Sequence, residues 1–196
     1  MLSLISLESY RLWSQGFIST SEQGLLEVGQ SIFLLLACLL HSYHSHTNKT
    51  DPLYRYLHAG LGLFCLALLL REFDMDKLGN QDNHWWRYVE WLVRGATLLG
   101  ITAYAGKLLR HPNITLTRLT SLAATPAFGF TVWGACCYLC GWPFDKSIFD
   151  LPPALSVWAE ETLELNATIL FFCAACTRSF HTDNSLLPNF IHDGRG

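Results

Sequence analysis

Residues 155–176 read Leu155-Ser-Val-Trp-Ala-Glu-Glu-Thr-Leu-Glu-Leu-Asn-Ala-Thr-Ile-Leu-Phe-Phe-Cys-Ala-Ala-Cys176. As a helix rising about 1.5 Å per residue, the stretch reaches across the roughly 30 Å of hydrocarbon in a bilayer. It lacks the period-two alternation of a barrel strand, so a crossing backbone here must be helical. Its first turns nevertheless carry Glu160, Glu161 and Glu164, with Asn166 deeper. A charge at membrane depth costs at least about 2.5–3.5 kcal/mol on lenient insertion scales, so these carboxylates must face protein or water. One segment therefore points both to the fold class and to a polar site.

Four other apolar stretches lie at approximately Leu25–Ser42, Leu57–Leu70, Trp91–Ala105 and Leu119–Cys140. The first and fourth approach or reach a full span; the second and third draw on flanking residues such as Tyr56, Phe73 and Tyr88. Hydrophobic residues make up 51% of the 196 and charged ones 15%, below the usual quarter. A small soluble domain of this make-up lacks the polar residues to cover its core. The expectation is an all-α, polytopic transmembrane helix bundle of about five helices. Residues 1–24 form an N-terminal segment, able to lie in the interface over Leu2–Trp13 or to remain unstructured. Residues 25–177 form the bundle and 178–196 a polar tail. Short connections predict antiparallel packing of successive helices. Pro126 is expected to kink helix four, and Ala127, Gly129, Gly134, Ala135, Gly60 and Gly62 offer close helix contacts. The first residues carry no positive n-region and no small-residue cleavage site follows, so no removable signal peptide is expected.

Five crossings place the loops at 72–90 and 141–153 with the N-terminus on one side, A. The loops at 43–56 and 107–118 and the C-terminal tail then fall on the other, B. Side A collects thirteen acids and six bases; side B has three acids, Asp51, Asp183 and Asp193, and seven bases. Lys and Arg set orientation, which favours side B as cytoplasmic and the N-terminus as external. Trp13, Trp85, Trp86, Trp91, Trp142 and Trp158 gather at or near side A, as interfacial indoles do.

The side A ends of the helices also concentrate ionisable residues. Glu27 starts helix one, Arg71, Glu72, Asp74 and Asp76 close helix two, and Glu90 and Arg94 share a face of helix three at i,i+4 spacing. Arg71 and Arg94 are the nearby fixed cations, which leaves carboxylates in excess. Three readings follow. In the first, Arg71 and Arg94 pair with Glu160 or Glu164, and a network of Arg71, Glu90, Arg94, Glu160, Glu161 and Glu164 fixes helix packing. In the second, Asp74, Asp76, His84, Glu161 and Glu164 ligate a divalent cation, which oxygen ligands with one imidazole suit. In the third, the cluster relays protons or cations, or receives a cationic or lipid-like ligand.

Seven of the eight histidines fall on side B, including His41, His44 and His46 at the end of helix one and His58 at the start of helix two. The default reading is a solvated, titrating interfacial patch. His41 and His44 at i,i+3 also have metal-ligand spacing, and His41 and His58 can sit at similar depth, which leaves a bis-histidine haem as a further option. Two Cys-x-x-Cys spacings, Cys137–Cys140 and Cys173–Cys176, lie toward opposite sides and cannot form one four-thiolate site; within helices such cysteines usually pack as small apolar residues. His-Glu-x-x-His, Gly-x-Ser-x-Gly and P-loop signatures are absent. The net charge of -3 gives no footprint for nucleic acid.

At Arg71-Glu-Phe-Asp74, His84-Trp-Trp and Glu160-Glu-Thr-Leu-Glu-Leu-Asn-Ala the chain resembles a group of uncharacterised bacterial multipass inner-membrane proteins, over most of its length. The resemblance implies a bacterial inner-membrane setting and no particular activity. The function expected is therefore that of a scaffold, sensor or complex subunit, partnered by the bilayer and by another protein or a second copy. The alternatives are a metal-dependent membrane-embedded enzyme acting on a lipid-like substrate and a small ion- or proton-handling unit.

Overall fold

The computed structural model describes residues 25–47, 52–72, 85–110, 116–146 and 148–177, together with Ser6, Leu7, Tyr10, Arg11, Trp13 and Ser14. Among these residues every regular element is a helix. They are α1 (Leu25–Thr47), α2 (Pro52–Glu72), α3 (Trp85–Leu109), α4 (Leu116–Ala123), α5 (Pro126–Asp145) and α6 (Pro153–Cys176). Three of them, α2, α5 and α6, open on proline, whose fixed φ suits the first turn and whose missing N–H would be unpartnered there in any case.

The fourth apolar stretch is not one kinked helix but two. The chain breaks at Ala124–Thr125, just before Pro126. Thr125 sits in an extended conformation (φ -80°, ψ 144°), and its hydroxyl accepts from the Phe128 N–H at 3.3 Å. That is an N-cap, and it restarts the helix where the proline ring would otherwise clash with the preceding turn. The long element is therefore shifted toward the C-terminus relative to the apolar run, and the loop expected from Gly141 begins only after Asp145.

Helix α6 is the centre of the molecule. It packs against α1 on one flank and α5 on the other, α1 packs against α2, and α3 packs substantially only on α2. Eight consecutive residues of α6, Glu164 to Phe171, are buried. A helix enclosed all round in this way must be apolar or polar-satisfied on every face, and the Leu-Asn-Ala-Thr-Ile-Leu-Phe run fits that requirement. Leu34 and Ala37 of α1, Cys65 of α2 and Ala167, Phe171 and Ala175 of α6 form the main core, with Phe64 edge-on to Phe171 at 5.5 Å. Close approach of α5 depends on glycine: a Cβ at Gly134 would lie 2.8 Å from the Phe171 ring and 3.1 Å from the Ala167 carbonyl oxygen. The N-terminal residues lie alongside α6. Ser6 accepts from the Asn166 amide at 2.9 Å, and Trp13 stacks on Trp158 with centroids 6.0 Å apart.

Two helices are long and apolar enough to cross a membrane by length and composition, Leu26–Thr47 and Pro52–Glu72. On α1 the two faces are inverted relative to a soluble helix. Leu26, Gln30, Leu34, Ala37 and His41 are buried, while Val28, Ile32, Leu35, Leu36, Leu39 and Tyr43 are exposed.

Candidate functional site

The side A ends of α1, α2, α5 and α6 bring together side chains far apart in the chain. Arg71, on the last turn of α2, places Nη2 2.6 Å from Glu164 Oε1 and Nε 3.5 Å from Glu72 Oε1. Its guanidinium also lies over the Tyr138 ring of α5, 5.0 Å from the centroid. One cation thus joins three helices, by its ion pair to Glu164 of α6 and its cation–π contact with Tyr138 of α5, while the Glu72 pair lies within α2. Glu164 is 4% exposed, so its carboxylate depends on that guanidinium.

Glu161, one turn earlier on α6, is held from the other flank. Gln30 of α1 donates from Nε2 both to the Glu161 carboxylate at 2.7 Å and to the Glu161 backbone carbonyl at 3.0 Å. Both acceptors are oxygens, so the amide orientation is fixed by chemistry. The remaining oxygen, Gln30 Oε1, is buried and has no hydrogen-bond partner among the described residues; the same holds for the Tyr138 hydroxyl. Gln30 was not among the residues singled out from sequence, although it lies on the same face of α1 as Leu26, Leu34 and His41. That spacing, a lone amide on an apolar stripe that also carries a histidine, is the signal that identifies it.

Arg94 departs from the expected pairing. It binds Glu90 of its own helix at 2.7 Å and donates to the Leu70 carbonyl at 3.0 Å, and it does not meet Glu160 or Glu164. The reason is architectural: α3 packs on α2 and is screened from α6 by it. Glu90 and Arg94 are thus a separate latch between α3 and the end of α2. Glu160 lies on the α5 side of α6 and makes no hydrogen bond or ion pair among the described residues; its carbonyl would be 3.8 Å from a Cβ at Gly141. Of the proposed metal ligands, Asp74, Asp76 and His84 lie outside the described residues. Among the described residues no three His, Cys, Asp or Glu side chains converge as a metal ion would require.

The histidines correct the expectation of a solvated patch. His41 and His58 are 1% and 0% exposed, and their Nδ1 atoms are 2.8 Å apart. One ring must donate Nδ1–H and the other accept, so the two neutral rings hold opposite tautomers. They lie across the α1–α2 seam at matching depth, close to Gly62, where a Cβ would be in ordinary contact with His41 Cβ at 3.5 Å. The rings are in direct contact, which leaves no slot for a porphyrin. His44 instead bonds the Ala175 carbonyl through Nε2 at 3.2 Å, and His46 is exposed. The cysteines are free thiols, and the two Cys-x-x-Cys pairs fall at opposite ends of α5 and α6.

The class these features define is a helical bundle that encloses polar side chains among its apolar core and exposes large apolar ones. Compared with known proteins, the chain matches no family model, no curated protein and no solved structure.

Proposed function

We propose that the chain is a multipass integral membrane protein with five spans, α1, α2, α3, α5 and α6. It acts as a scaffold, sensor or complex subunit, and its side A network ties the helices into one rigid unit. The observation that carries this reading is the inverted polarity. Gln30, His41, His58, Glu164 and Asn166 are all 5% exposed or less. Leu35, Leu39, Leu92, Leu98, Leu99, Val132 and Leu139 lie on the outside at 44% or more. Water would reverse that arrangement; lipid favours it, because an unsatisfied or charged group is costly in hydrocarbon and a leucine is not. The exposed indoles Trp85, Trp86, Trp91 and Trp142 sit at the helix ends on side A, where an interfacial belt belongs.

In this reading the short α4 lies in the side B interface before α5 enters the bilayer. The setting is the bacterial inner membrane, with the N-terminus outside and the C-terminus in the cytoplasm. The bilayer is the constant partner, and a second protein or second copy is the further one. Reporter fusions test the span count. Insertions at 78–84 and at 144–150 should report the same face, and those at 48–51 and 111–115 the opposite one. Opposite reports from the first two would remove the five-span arrangement.

A further inference from the structure

Deepening the membrane reading and resting on it, we infer that Glu161 and Gln30 hold a small monovalent cation, a proton or an alkali ion, at the seam between the side A ends of α1 and α6. The argument is one of donors against acceptors. The Gln30 amide uses both N–H groups on Glu161, and its oxygen is left buried with no donor to meet it among the described residues. That oxygen is carried on a side chain 1% exposed, on the same amide carbon that reaches the Glu161 carboxylate. A buried acceptor of this kind is destabilising until something electropositive meets it.

The charges facing Glu161 sharpen the choice. Glu27 comes from α1, Glu72 and Arg71 from α2, and Glu160 and Glu164 from α6 itself. Arg71 is the one fixed cation among them, and its guanidinium is committed to Glu164 and Glu72. Glu161 is thus left with an amide donor and no counter-charge of its own. Oxygen ligands suit hard cations. A single carboxylate plus a neutral amide oxygen balances one positive charge, not two, and no three acidic or imidazole ligands converge to hold a divalent metal among the described residues. The exchange balances simply. Entry of an alkali ion breaks the Glu161 carboxyl O–H bond, the proton leaves to water on side A, and the ion takes its place between the same oxygens.

The test uses the purified full-length chain in weakly buffered detergent. Sodium chloride is added against a choline chloride control, proton release is read with a pH dye, and the carboxyl stretch is followed by infrared spectroscopy. Release of close to one proton per chain on adding sodium supports the alkali-exchange form. It should fall at least tenfold in Glu161→Gln and in Gln30→Leu, which keeps the side-chain bulk and removes the carbonyl. No sodium effect, with a reversible protonated-carboxyl band that disappears in Glu161→Gln, supports the proton form. The wild-type chain alone also decides: neither sodium-driven release nor a titrating carboxyl band overturns the inference, whether or not the variants fold. That failure leaves the topology fusions untouched, so loss of the cation site and loss of the five-span reading are separable.

Discussion

Arg71 and Glu164 show what a single contact does in this molecule. Glu164 is almost completely enclosed, whereas the Arg71 side chain is half-exposed at the end of α2. Breaking a fully buried ion pair from one side costs about 3–5 kcal/mol. Exposure of the arginine lowers that to about 1–3 kcal/mol here. Arg71→Leu should therefore reduce the yield of monodisperse protein and its thermal midpoint in detergent. Glu164→Gln should do less, because the amide oxygen still accepts from the guanidinium, and Arg71→Leu/Glu164→Leu should recover part of the loss. Strict additivity in that cycle would mean the pair is not coupled. The histidine pair makes a parallel case. His41→Leu removes the hydrogen bond made to His58 Nδ1 inside a buried seam, for about 1–3 kcal/mol. His41→Leu/His58→Phe, which keeps an aromatic ring against Tyr54 at 4.5 Å, should cost less than His41→Leu alone. At this scale the sequence was informative where spacing settles geometry. Glu90 and Arg94 at i,i+4 do pair. Spacing is silent where pairing depends on which helices touch: it leaves Glu160 and Glu164 equally open to Arg71 and Arg94, of which only Arg71–Glu164 forms among the described residues, and it does not point to Gln30.

Among the helices, α5 and α6 make the most intimate contact, and glycine is its condition. Gly134→Ala inserts a methyl group 2.8 Å from Phe171, a side chain itself 2% exposed, and 3.1 Å from a backbone oxygen. The ring has little room to move, so α5 must back away from α6 at a cost of about 1–3 kcal/mol. Gly129→Ala is the matched control on the same helix. Nothing lies within 4 Å of its Cβ position, and helix propensity alone makes the change neutral or stabilising by up to about 1 kcal/mol. Paired thermal melts in detergent should separate the two by several degrees; equal midpoints would show that the α5–α6 contact is looser than the geometry gives. Both glycines looked alike in the sequence, because a small residue in an apolar run does not say which face it occupies. The break at Thr125 was legible only as a kink at Pro126. The proline marks the place, but whether a helix bends or restarts depends on whether the preceding residue can cap the next turn, and threonine can.

For the whole molecule the deciding issue is which solvent surrounds it. A soluble bundle with this surface would expose to water large apolar side chains of α1, α3 and α5 together, and large apolar patches are rare on soluble monomers. Cys136 makes the question measurable. It is exposed and lies in the middle of α5, nine residues from Asp145, whereas Cys65 is 1% exposed in the core. Were the bundle in water, a hydrophilic maleimide would modify Cys136 rapidly in the folded protein and spare Cys65. With lipid around it, both thiols should stay unmodified in intact membranes for different reasons, one covered by acyl chains and the other by protein. Both should then react after denaturation in SDS, as read by mass spectrometry of the modified peptides. Cys176, exposed at the end of α6, supplies the internal standard. The reagent should reach it from one membrane face only, and on the five-span arrangement that is the face opposite to residues 78–84. Rapid labelling of Cys136 in native membranes would sink the lipid-facing assignment of α5, and with it the premise that the acids at the side A ends share one leaflet.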